Sequence, residues 1–95
     1  MIFAINNLKH NTDHTDLISD KCRYSWTDNL LGVSVHHRGK DVKLWKSEKG
    51  NWLLTYERDY GVNSGVALSE EKAKKYLLQY DVEAYEKIFG ELEEA

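Results

Sequence analysis

Proline is absent from this chain, cysteine occurs once, and no apolar run approaches the length of a membrane span. Each lack excludes something. Without proline, turns must be built from glycine, asparagine, aspartate and serine. A single cysteine, Cys22, cannot close an intramolecular disulfide, so a reducing, cytoplasmic setting is the default. A bilayer-spanning helix needs about 20 apolar residues, so a membrane is not expected. The opening stretch MIFAINN is apolar but short. It has no preceding basic region and no small-residue cleavage pattern, and it reads as a strand rather than a signal peptide. Nucleophile elbows, phosphate loops and paired metal motifs are also missing, so neither an enzyme nor a cofactor is expected.

What is present is aromatic and unevenly charged. Three Trp, six Tyr and two Phe in 95 residues offer much ring area to one small core. A chain of this size gains from a partner but does not require one, and monomer and homodimer both stay open. The net charge of −3 hides three regions. Residues 1–35 carry −1. Residues 36–58 carry +3, from six basic against three acidic side chains. Residues 59–95 carry −5, from nine acidic against four basic. A basic middle and an acidic end suit a protein-binding face or simple solubility.

Periodicity divides the chain into a β half, residues 1–58, and an α half, residues 59–95, of a single domain. IFAI, residues 2–5, reads as a short strand. Residues 6–20 are polar and read as a loop with one helical turn at most. From Cys22 the period is two: Cys22, Tyr24 and Trp26 share a face, and TDN, residues 27–29, supplies turn chemistry. Leu31, Val33 and Val35 alternate next, HRGKD turns the chain, and Val42 and Leu44 begin another run. SEKGN, residues 47–51, turns again, and Trp52, Leu54 and Tyr56 share a face. YGVNSGV, residues 60–66, reads as a loop. A helix follows over residues 69–80, with Ser69 as N-cap, Glu70 and Glu71 in its first turn, and Leu68 placed to pack on Ala73. Asp81 is placed to cap a second helix over residues 82–93, one kinked helix being the alternative. The predicted fold is α+β: an antiparallel meander of three to five strands, covered on one face by two C-terminal helices. Its core would set Trp26, Val33, Val35, Leu44, Trp52, Leu54 and Tyr56 against Ala73, Tyr76, Leu77, Tyr85, Ile88 and Phe89.

Candidate chemistry is sparse. His10 and His14 have a helical metal-ligand spacing, but NTDHTD is a poor helix and no second ligand pair accompanies it. His36 and His37 are adjacent on a strand, so only one of them can serve a given surface. Cys22 falls on the apolar face and reads as an inert core thiol. The stretch DVKLWKSEKGNWLLTY, residues 41–56, mixes rings and lysines as single-strand platforms do. Strand period assigns Trp52 and Tyr56 to the core and leaves only Trp45 as a candidate surface ring.

A pattern runs through residues 42–91: Leu44, Trp45 and Lys46 before a turn at Gly50, then Trp52 and Leu53. Leu68, Ser69, Glu70, Glu71 and Ala73 follow, and Asp81, Tyr85, Glu86, Ile88, Phe89 and Gly90 close it. It resembles a group of small uncharacterised proteins of gut bacteria and their phages and mobile elements. Trp45 stands where that group usually has tyrosine, and the glycine-rich loop is shortened to DYGVNSG. The resemblance implies a mobile-element accessory protein and brings no catalytic residues. By analogy it suggests an inhibitor of a host defence nuclease, of the anti-CRISPR kind. The leading expectation is therefore a non-catalytic protein-interaction module with Glu83, Glu86, Glu91, Glu93 and Glu94 facing a protein partner. The alternative is a nucleic-acid binder using Arg38, Lys40, Lys43, Trp45, Lys46 and Lys49 on the basic hairpin.

Overall fold

The computed structural model describes residues 2–5, 8–11, 15–58 and 61–93. The chain has an α+β fold. Among the described residues, eight strands, all paired antiparallel, precede two helices. Strands β3 (Thr15–Ser19), β6 (Lys40–Ser47), β7 (Trp52–Glu57) and β8 (Asn63–Leu68) form the main sheet in the order β3-β6-β7-β8. Two separate ribbons flank it, β1 (Ile2–Ile5) with β2 (Leu8–Asn11), and β4 (Ser25–Leu30) with β5 (Val33–Arg38). Helices α1 (Glu70–Tyr80) and α2 (Val82–Phe89) close the chain.

The hairpin at the centre forms where the period of two predicts it. The Ser47 N–H donates to the Asn51 carbonyl and the Gly50 N–H to the Ser47 carbonyl, closing its turn, and Gly50 takes φ +84, which glycine adopts without strain. On the helix-facing side, Leu44, Trp52 and Leu54 are buried against Ala73, Leu77 and Ala84, with Cys22 and Val42 completing the cluster. Tyr76, Tyr85, Ile88 and Phe89 pack around it, and Trp52 stacks on Phe89 at 6.0 Å. Strand β7 differs from the expected half-wet strand, because Leu53 and Thr55 on its other face are buried too. It lies between β6 and β8, and the β1–β2 ribbon sits along β8.

Several elements depart from the periodicity reading. Residues 6–20 contain β2 and β3 rather than a loop. Residues 63–66, read as the second half of a loop over 60–66, instead belong to the edge strand β8, which continues to Leu68. The TDN turn is in fact the middle of β4, and the chain reverses later, at Leu31-Gly32. HRGKD makes no hairpin either, since β5 passes through Gly39 directly into β6 of the other sheet. Trp26, Val33 and Val35 therefore lie on a ribbon apart from the helices, and Val33 is exposed.

The helices are two, joined at Asp81. Ser69 accepts from the Lys72 amide at 3.3 Å, and Leu68 packs on the cluster containing Ala73. Asp81 donates its backbone N–H to the Leu77 carbonyl, ending α1, while its carboxylate accepts from the Ala84 amide at 3.2 Å, starting α2. The other carboxylate oxygen accepts from Ser19 Oγ at 2.7 Å, tying the helix junction to β3. Burial alone would raise the Asp81 pKa. The Ser19 and Ala84 hydrogen bonds, with Lys21 and Lys87 nearby, outweigh it and hold the carboxyl below its ordinary value. A depressed folded pKa gives stability that is complete above the unfolded pKa and is lost as pH falls through the folded one. Asp81→Ala should thus cost about 1–2 kcal/mol in urea unfolding at pH 7. That cost should shrink on acidification.

Candidate interaction surfaces

The β4–β5 ribbon is a short arm. Its register runs from Ser25 opposite Arg38 to Leu30 opposite Val33. One face is polar and self-satisfied. Thr27 Oγ1 lies 3.1 Å from His36 Nδ1, and Ser34 Oγ donates to Asn29 Oδ1 at 3.0 Å. The other face holds Trp26, His37, Asp28, Val35, Leu30 and Val33. His37 stacks on Trp26 at 5.2 Å, and its Nε2 lies 3.2 Å from the Asp28 carboxylate. Rings anchor the arm at its base: Tyr24 stacks on Tyr56 at 4.5 Å, Trp26 meets Tyr56 at 5.2 Å, and the Arg58 guanidinium covers Trp26. At the far end Leu31 and Gly32 take φ +51 and +80, the geometry of a two-residue type I′ turn. Leu31 is fully exposed, with Leu30 and Val33 beside it 61 % and 62 % exposed.

The hairpin set does not form one surface. Lys43 and Trp45 lie on one face of β6, opposite Thr55 and Leu53, whereas Lys46 lies on the other, opposite Trp52. Lys46 Nζ sits 5.4 Å from the Trp52 ring centre. Trp45 is half-buried, and its Nε1–H donates to Thr55 Oγ1 at 2.9 Å. Lys40 and Lys49 are exposed at the start of β6 and in the turn, and Arg38 is exposed at the end of β5.

The acidic set is also dispersed. Glu83 is exposed in the first turn of α2, and Glu86 is half-buried further along it. Helix α2 stops at Phe89, short of the predicted residue 93, because Gly90 turns away at φ +100. Glu91 and Glu93 are exposed beyond that stop, off any helix, and Glu94 lies outside the described residues.

Cys22 is buried, 5 % exposed. Burial raises its pKa and the Asp81 charge adds to this, against a smaller lowering from Ser19, whose Oγ lies 3.9 Å from Sγ. A thiol so held is a poor nucleophile. His36 and His37 point to opposite faces of the arm, as strand geometry requires. The His10 side chain and all of His14 lie outside the described residues. Among the described residues, no three His, Cys, Asp or Glu side chains gather as a metal site would need. No helix among them is long and apolar enough to cross a membrane.

A cleft that the segment-by-segment charge count misses lies between α1, β8 and residues 23–25. It holds about 450 Å3. Burial raises the pKa of Tyr24 and of Tyr76 there, and neighbouring tyrosines add to the effect, so both hydroxyls remain proton donors. The helical spacing of Lys72, Lys75, Tyr76, Gln79 and Tyr80 is the signal that could have found it. No family model matches this chain, and no curated protein or solved structure matches it either.

Proposed function

We propose that the chain is a non-catalytic protein-interaction module that meets its partner through the tip of the β4–β5 arm. Leu31 carries this reading. A type I′ turn favours asparagine, aspartate or glycine at its central positions. Here the first central residue is leucine, at φ +51 and fully exposed. Left-handed backbone costs a bulky residue about 1–2 kcal/mol, and its side chain gives the isolated fold no packing in return. A partner that buries Leu31, Leu30 and Val33 accounts for that choice. Residues 28–34 include no lysine or arginine, so an apolar pocket on a protein fits the tip better than a phosphate backbone does.

The finer reading is a cytoplasmic accessory protein of a mobile element that blocks a host defence nuclease. It is supported by the resemblance of residues 42–91 and by the lone cysteine. The exposed carboxylates of Glu83, Glu91 and Glu93 add to it, since they suit a partner built to hold nucleic acid. Leu31→Asn separates function from folding. It should raise stability by about 1 kcal/mol, or roughly 4–8 °C in Tm for a domain of this size. Partner capture should fall at least about tenfold. Capture that survives Leu31→Asn unchanged refutes the arm as the contact.

A further inference from the structure

Helix α1 carries Lys72, Lys75, Tyr76, Gln79 and Tyr80 at i, i+3, i+4, i+7 and i+8, one stripe along its flank. The stripe adjoins Ala73 and Leu77, both fully buried, so the core fixes how it is presented. It forms one wall of the cleft described above. Arg23, Tyr24 and Ser25 line the cleft as well, with Val66 and Leu68 of β8. Three cations and three tyrosines thus meet, and among the described residues no carboxylate lines the cleft. That is a departure for a chain with 16 acidic and 13 basic side chains. Arg23, Lys72 and Lys75 have no ion-pair partner among the described residues. Glu70 and Glu71 belong to the same helix but are not part of that wall.

We propose that this cleft binds a nucleoside phosphate, either as a free mononucleotide or as a unit of a single strand. Lys72 and Lys75, one turn apart, face the phosphate together with Arg23 across the cleft. Like charges gathered without a counter-ion gain from an anion between them, and Arg adds a two-pronged hydrogen-bonding fork. The tyrosine rings offer planar apolar surface to the base, and such stacking is worth about 1–3 kcal/mol per base. Gln79 brings both a donor and an acceptor for the base edge. The volume falls within the roughly 300–1,000 Å3 of small-molecule sites. A second cleft of about 650 Å3 continues past Arg23, Tyr24, Ser25 and Tyr80. Its lining carries Arg23 and Arg38 but also Asp20 and Asp41, two charges of each sign, so the phosphate belongs in the first. The tip of the arm has no part in this site, and neither reading depends on the other.

The test is titration of the full chain at low salt with adenosine 5′-monophosphate, a short single-stranded oligodeoxyadenylate and inorganic phosphate. The mononucleotide or the strand should bind, with inorganic phosphate at least about tenfold weaker because the rings hold the base. Equal binding of nucleotide and strand identifies a free nucleotide as the ligand; binding of the strand alone identifies a single strand. The exposed pair Lys72→Glu/Lys75→Glu, checked for an unchanged melt, should weaken binding at least about tenfold and reduce the salt slope by about two. Lys43→Glu/Lys49→Glu on the hairpin should change affinity less than about twofold. The proposal is overturned if no probe binds or if inorganic phosphate binds as tightly as the nucleotide. It also fails if the cleft pair leaves affinity intact, or if the hairpin pair costs as much as the cleft pair.

Discussion

Replacing Trp52 with alanine is expected to cost about 3–5 kcal/mol, the range for deleting a buried aromatic side chain. Trp52 is 2 % exposed and joins three elements. It sits on β7, stacks on Phe89 of α2 and receives Lys46 of β6 over its ring. Nothing near it can collapse cheaply into the space, because Leu54 and Leu77 in the same cluster are themselves fully buried. Small domains hold about 5–15 kcal/mol in total, so Trp52→Ala should remove a large share of the fold's stability. Chemical denaturation followed by far-ultraviolet circular dichroism would measure it. A loss below about 1 kcal/mol would mean that the helices do not cover this face of the sheet.

Gly39→Ala carries the second large effect, and it acts on the arm. The residue joins β5 to β6, and its N–H donates to the Tyr24 carbonyl at 2.9 Å. A Cβ at this position would lie 2.9 Å from Tyr56 Cβ, closer than carbon atoms tolerate. The group that must yield is the root of Tyr56, not the end of a flexible chain. Tyr56 in turn stacks on Tyr24 and meets Trp26, so its displacement unseats the arm's base. Overpacking of this kind costs about 1–3 kcal/mol. It should lower Tm by roughly 4–24 °C and weaken the near-ultraviolet signal of the stacked rings. A wild-type Tm with an unchanged aromatic spectrum would show that the arm is not seated on Tyr56.

The parts of the fold legible in the sequence are those where a local pattern and the global packing agree. The alternation around Trp52, the glycine of its turn, and the caps at Ser69 and Asp81 all point to the elements that form. Strand β4 was hidden because Thr27, Asp28 and Asn29 look like turn formers. Thr27 and Asn29 instead meet His36 and Ser34 across the ribbon, and the Asp28 carboxylate lies 3.2 Å from His37 Nε2. Leu31, Val33 and Val35 share a parity, which suggests one buried face, yet Leu31 falls in the turn and Val33 is exposed, because the ribbon leaves the sheet. Strands β2 and β3 carry too few apolar residues to show a period. Of the candidate surfaces, the hairpin and the acidic set were visible as composition, but strand pleat and the stop at Gly90 scatter them. The cleft was invisible to a charge count over residues 59–95, which merges Lys72 and Lys75 with nine carboxylates. Only the helix sorts them onto one flank.

The arm as the contact point is tested most directly by light-driven crosslinking in cells. A photo-reactive amino acid is placed at Leu31 in one protein and at Glu48, exposed in the β6–β7 turn, in another. A discrete protein adduct is expected from position 31 and none from position 48. No adduct from position 31, or the same adducts from both, would contradict the arm as the contact point.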